Sequence, residues 1–170
     1  LISSAIARMK ALNSLIQAVR DFKPDVIYLR QSLYFFPFHK IAQIAPIVIE
    51  INTDDVQEYK LRNKLFFLYH RLTRGILLRK VAGVVTISHE IANLSTITKF
   101  DKQVIVIPNG IDMQALDPCP APNNATPRIA FAGMPDQPWN GIDKLLWFAK
   151  KTPQIQIDMI GYTREDLTTF

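Results

Sequence analysis

Near the start of the chain Ile2, Ile6, Met9, Leu12, Leu15, Ile16 and Val19 recur at intervals of three and four and predict an amphipathic helix over residues 2–20. Lys23-Pro24-Asp25 ends it, because proline disfavours helical geometry in the residue before it. Val26–Leu29 and the β-branched run Ile47–Ile51 are short apolar stretches bounded by polar residues, the pattern of buried strands. Between them Ser32–Ala45, interrupted by Pro37, predicts a loop and then a short helix. Leu61, Leu65, Leu68, Leu72 and Ile76 restore the helical period and predict one long helix from Tyr59 to Lys80. Gly83–Ser88 and Val104–Ile107 predict two further strands, with Ser88 placed to cap a short helix begun by Ile91 and Leu94. Downstream comes one more cycle: strand Arg128–Ala132, helix Gly141–Lys150 and strand Ile155–Ile160. Strands alternating with helices predict α/β units on parallel sheets.

Between the last two groups lies the clearest shift in composition. Residues 113–127 hold Pro118, Pro120, Pro122 and Pro127, four of the eleven prolines, and predict a linker between residues 1–112 and 128–170. Ligands of parallel sheets gather at the carboxyl ends of the strands. Topology alone therefore singles out Arg30 and Gln31, Asn52 to Asp55, Ser88, Asn109 to Asp112, Gly133 to Gly141 and Gly161 to Thr163. Of these, Asp54 and Asp55 read as a solvated loop, and Asn109-Gly110 as a sharp turn at positive φ.

Composition removes several classes of function. With 48% hydrophobic and 21% charged residues, the 170-residue chain is a folded protein rather than a disordered one. A single cysteine, Cys119, and three scattered histidines, His39, His70 and His89, give neither a disulfide framework nor metal-ligand spacing. No apolar run approaches the roughly 18 residues that span a bilayer. Neither GxGxxG nor GxxxxGK[ST] occurs. The first residue is not Met and it falls inside a helical pattern, so the chain reads as a piece of something longer.

The net charge of +5 is unevenly placed, at +6 over residues 1–112 and −1 over the rest. Within Tyr59–Lys80 stand Lys60, Arg62, Lys64, Arg71, Arg74, Arg79 and Lys80 and no acid. A basic amphipathic helix of this kind fits an anionic membrane surface. No aromatic-basic sheet motif or recognition helix accompanies the charge, so nucleic acid is not an expected partner.

Four motifs form a series: GVVTIS at 83–88, VIVIPNGID at 104–112, IAFAG at 129–133 with WNGID at 139–143, and IDMIG at 157–161. In order and spacing, with Lys23-Pro24-Asp25-Val26-Ile27 ahead of them, they resemble the retaining nucleotide-sugar glycosyltransferases of GT-B fold, family 4. The resemblance implies two Rossmann-like α/β domains with parallel sheets, both incomplete here, an acceptor-side domain over 1–112 and the start of a donor-side domain over 128–170. It implies transfer of a sugar from a nucleotide-sugar donor to a glycan or lipid-linked acceptor, with retention and with no cofactor or metal required. It further implies a cytoplasmic location, peripheral at the inner face of the membrane.

By the same resemblance Gly133, Asn140, Gly141 and Gly161 stand at donor-binding positions, and Asn52 where many members carry a histidine near the transferred sugar. Ser88, Asn109, Gly110 and Asp112 would face the interdomain cleft. Lys60, Arg62, Lys64, Arg71 and Arg74 would meet the membrane. Two departures matter: Met134 and Asn140 occupy positions where the family places cations against the donor's diphosphate, and the acidic motif of the donor domain is not in this chain. They support a second expectation, a truncated or degenerate non-catalytic module that binds a partner, a glycan or a membrane surface.

Overall fold

The computed structural model describes residues 2–116, 120–134 and 137–167. The predicted linker residue Pro118 and Cys119 lie outside the described residues. The chain divides into two compact units, Leu1–Gly110 and Ile111–Phe170.

The first unit is a four-stranded parallel sheet in the order β1-β2-β3-β4, formed by Ile27–Arg30, Ile47–Ile51, Gly83–Thr86 and Gln103–Val106. Its register is direct, with Ile27 beside Ile47, Val48 beside Gly83 and Val84 beside Val104. Helix α1 (Ile2–Phe22) precedes β1, and a 3-10 turn over Phe38–Gln43 lies between β1 and β2. Helices α2 (Asp55–Arg62) and α3 (Lys64–Leu78) follow β2, and the single turns α4 (His89–Ala92) and α5 (Ser95–Thr98) follow β3.

Because the sheet grows strand by strand in one direction, right-handed crossovers carry every connection over the same face. The core accordingly forms on that face. Ile47, Ile49 and Ile51 of β2 are fully buried there, with Ile27, Val84, Leu77, Leu78, Val81 and Ile97 around them. Each such side chain contributes about 1.5–3 kcal/mol by leaving water. The alternate residues of the strands form an open face, on which Tyr28 is 56% and Ile105 51% exposed.

The predicted long helix Tyr59–Lys80 is in fact two. Asp54 caps α2, its carboxylate accepting from Gln57 N, so helix begins four residues earlier than the leucine period indicates. Asn63 then leaves helical geometry at φ −163° and ψ 127°, and its side-chain oxygen accepts from Leu65 N and Phe66 N. An asparagine that caps the next helix competes with continuation of the previous one. The leucine stripe does not enter the core either: Leu61, Leu65, Leu68 and Leu72 are all more than half exposed, and among the leucines of α3 only Leu77 and Leu78 at its carboxyl end are buried.

The second unit pairs β5 (Arg128–Ala132) with β6 (Gln156–Ile160) in parallel, joined through a 3-10 turn at Pro138–Asn140 and helix α6 (Ile142–Lys151), with a short α7 (Arg164–Leu167) after β6. Ile142 is its buried anchor among the described residues. Trp147 on α6 is 63% exposed.

Candidate functional site

In the first unit the carboxyl ends of β1 and β2 open into a cleft of about 190 Å³, lined among others by Arg30, Gln31, Asn52, Asp55, Glu58 and Tyr59. The loop between β2 and α2 is stitched locally, with Asp55 N donating to Thr53 O and Thr53 Oγ1 to Glu58 Oε2. Asn52 and the Tyr28 hydroxyl hydrogen-bond to Glu50, and with the charge of Arg30 they hold that carboxyl below its usual range. Oδ1 of Asn52 is buried without a partner among the described residues, and so is Oε1 of Gln31. Two buried acceptors bordering one cleft lack the N–H or O–H groups that such atoms normally have.

Asp55 is not solvated, contrary to the reading of its loop. It is 7% exposed, and its carboxylate is held by His70 Nε2 at 2.7 Å and by Arg74 in a two-pronged contact, Nε at 2.6 Å and Nη2 at 2.9 Å. Arg74 Nη1 also donates to the carbonyl of Thr96. Burial by itself raises the Asp55 pKa. The hydrogen bonds from His70 and Arg74, with their charge, outweigh that and leave it below the ordinary carboxylate value. His70 is fully buried under the Tyr59 ring, with centroids 4.5 Å apart, and its Nδ1 has no partner among the described residues. Asp55 thus forms part of the cleft wall and also ties α2 to α3. The sequence signal for this was His70 and Arg74 four residues apart on one helical face, behind an acid in the first turn of the preceding helix.

This corrects Arg74 as a membrane-facing cation, since it is 4% exposed and spent on Asp55. Lys60, Arg62, Lys64 and Arg71 are exposed, Arg62 beside Glu58 at 3.5 Å. Ser88 caps α4, its Oγ accepting from Ile91 N. Asn109 and Gly110 are exposed and neither has positive φ, so the expected left-handed turn is absent from that position. Asp112 closes a 3-10 turn by accepting from Gln114 N.

In the second unit Gly133, Asn140 and Gly161 meet at the carboxyl ends of β5 and β6, with Gly141 next in the chain. Gly161 has φ +90°, and a Cβ there would lie 2.3 Å from the Gly133 carbonyl oxygen, so only glycine fits. Gly141, at φ +70°, turns the chain into α6. The Asn140 amide donates to the Met134 carbonyl at 3.1 Å, and the Tyr162 hydroxyl donates to the same oxygen. Asn140 therefore closes the loop that it borders. No lysine or arginine occurs between Gly133 and Gly141.

Among the described residues no group of three or more His, Cys, Asp or Glu side chains could hold a metal ion, and no helix is long and apolar enough to cross a membrane. No curated protein matches the chain. A family model does, that of Glycosyltransferase Family 4, over residues 3–115, which takes in the four-stranded sheet of the first unit and the cleft at its carboxyl edge. On that match, which covers well over half of its length, the chain belongs to glycosyltransferase family 4.

Proposed function

We infer that the chain is part of an enzyme that moves a sugar from a nucleotide-sugar donor to a glycan or lipid-linked acceptor with retention. The observation that carries this is the pair of unpartnered oxygens, Gln31 Oε1 and Asn52 Oδ1, bordering the carboxyl-edge cleft. Acceptors left over in a polar cleft call for O–H donors, and sugar hydroxyls supply several on a rigid ring. Asp55 is fixed by two partners and holds the cleft wall in one geometry, so bound hydroxyls meet a preorganised surface. Three glycines and one amide side chain, Gly133, Gly141, Gly161 and Asn140, at the carboxyl ends of β5 and β6 are the proposed donor side.

In a retaining transfer of this kind the bond from the anomeric carbon to the donor phosphate breaks, its electron pair leaving on the phosphate. The acceptor oxygen bonds to the same face and passes its proton to the departing phosphate. The protein's part is positioning and charge stabilisation. No metal or cofactor enters the scheme.

The acceptor is proposed to be membrane-borne. Leu65, Phe66, Leu68 and Leu72 are exposed on α3 beside Lys60, Lys64 and Arg71, and an apolar strip flanked by cations suits the interface of anionic lipid. A second reading, a non-catalytic module, is favoured by the cation-free loop 133–141, in which Asn140 is spent on Met134.

Saturation-transfer NMR with UDP- and GDP-sugars and with methyl glycosides separates the two readings. The enzyme reading expects both donor and glycoside signals, with the glycoside signal lost in Asn52→Leu and Gln31→Leu. Glycoside binding with no donor signal at millimolar concentration would favour the module. Glycoside signals unchanged in both variants would remove the cleft as the acceptor site.

A further inference from the structure

On the helical side of the first unit, between α3 and α5, lies a second cavity of about 390 Å³, a size typical of small-molecule sites. It shares no lining residue with the carboxyl-edge cleft. Arg71, Arg79 and Lys99 border it together with Phe67, Leu72 and Phe100, and no acid does. Arg74 also reaches the cavity, but its charge is matched by Asp55. Among the described residues the other three cations have no ion-paired or hydrogen-bonded side-chain partner.

These cations are placed as well as unpaired. Arg79 and Lys99 stand at 6.0 and 5.2 Å from the centroid of the Phe100 ring. The Arg79 guanidinium lies back against α3 where Gly75 leaves room: a Cβ on that glycine would meet Nη1 at 3.0 Å and Cζ at 3.3 Å. A glycine inside a helix costs about 1 kcal/mol relative to alanine. Here the missing methyl is the notch that seats a guanidinium otherwise without a counter-charge. Arg79 and Lys99 cap the carboxyl ends of α3 and α5, where helix dipoles favour cations, but that does not account for Arg71 or for the notch.

We propose that this cavity binds a phosphate-bearing anion, the phosphate held by Arg71, Arg79 and Lys99 and an apolar portion resting on Phe67, Leu72 and Phe100. Arginine forks match phosphate oxygens, and hydrogen bonds to charged groups are the stronger class. The site lies apart from the transfer chemistry and meets the exposed strip of α3 at Arg71 and Leu72. Its phosphate belongs either to an anionic lipid headgroup or to a soluble phosphate compound.

The test is titration of the full chain with inorganic pyrophosphate at low salt, together with flotation on phosphatidylglycerol and on phosphatidylcholine vesicles. Pyrophosphate should bind. The double variant Arg79→Gln/Lys99→Gln should weaken it about tenfold or more, with Lys60→Gln/Lys64→Gln unchanged. Gly75→Ala, which improves helix propensity, should keep or raise Tm and still lower the affinity by displacing Arg79. Pyrophosphate that releases the chain from phosphatidylglycerol vesicles identifies a headgroup as the source; pyrophosphate binding with no flotation, or with flotation that pyrophosphate leaves unchanged, identifies a soluble one. Absence of pyrophosphate binding at low salt, or unchanged affinity in the double variant with folding verified by circular dichroism, would overturn the site.

Discussion

Replacing Arg74 by methionine removes a buried guanidinium and leaves the Asp55 carboxylate with His70 as its remaining partner in the cluster. Two hydrogen bonds to Asp55 are lost, at 2.6 and 2.9 Å, along with the bond to the Thr96 carbonyl. Bonds to charged groups contribute about 1.5–3 kcal/mol each, but two of these share one carboxylate and their contributions do not add. The better guide is the cost of breaking a buried pair from one side, about 3–5 kcal/mol, of which methionine packing returns a part. A net loss of about 3 kcal/mol, set against a urea slope of about 1–3 kcal/mol per molar, lowers the unfolding midpoint by roughly 1–3 M.

The assay is urea unfolding at pH 7 followed by far-UV circular dichroism. Amide exchange in β2 and α3 then localises the loss, because both tryptophans, Trp139 and Trp147, lie in the second unit and their fluorescence does not report on the first. Adding Asp55→Asn to Arg74→Met should recover part of the loss, since the stranded charge is then gone. Arg128→Gln is the control: its pair with Asp158 is 49% and 39% exposed, and the change should cost less than about 1 kcal/mol. A midpoint for Arg74→Met equal to that of Arg128→Gln would refute the reasoning, because it would mean that the pair does not hold α2 to α3.

Further tests follow from other parts of the molecule. Asp55 has a folded pKa below its unfolded value, so its contribution is complete above the unfolded pKa and is lost as pH falls through the folded one. The stability gap between the parent chain and Arg74→Met should therefore be full near neutrality and shrink in acid, as read by urea midpoints across pH. Asn63→Ala removes the acceptor for Leu65 N and Phe66 N and should cost about 1 kcal/mol, with a matching drop in Tm. Gly161→Ala places a methyl against the Gly133 carbonyl at positive φ and should cost more than about 2 kcal/mol, seen as a fall in the midpoint of the tryptophan fluorescence transition. Leu65→Ser/Leu68→Ser should weaken flotation on phosphatidylglycerol vesicles while leaving pyrophosphate binding within about twofold, since neither leucine lines the cavity.

What was legible in the sequence was whatever period and punctuation dictate. Ile47–Ile51 and Arg128–Ala132 are strands with the bounds that their apolar runs predict, and Ser88 caps a helix as its position requires. The failures lie where a side chain chooses between two local roles. Leu61, Leu65, Leu68 and Leu72 keep a helical period across Asn63, and period alone cannot register that the Asn63 amide caps the second helix more favourably than it continues the first. The same leucines illustrate a second gap, since period marks a helical face and does not say whether anything covers it. Asp55 failed for a related reason. An acid beside another acid after a strand looks solvated until the fold brings His70 and Arg74, 15 and 19 residues further on, against it.

The Asp55–Arg74 pair also explains how so basic a segment folds against a sheet. Seven cations without an acid across Tyr59–Lys80 would repel one another on one rigid rod. Breaking the rod at Asn63 and burying Arg74 on an acid from the preceding helix removes one charge from the set and separates Lys60 and Arg62 from the cations of α3. Of the rest, Lys64 stands in the exposed apolar strip, while Arg71 and Arg79 border the cavity that Lys99 completes. The electrostatic cost that remains is concentrated where an anion would relieve it. Ionic strength is therefore the decisive variable: if these cations are functional, pyrophosphate affinity must fall steeply with salt, while the buried Asp55–Arg74 pair, shielded from ions, leaves the urea midpoint nearly unchanged over the same range.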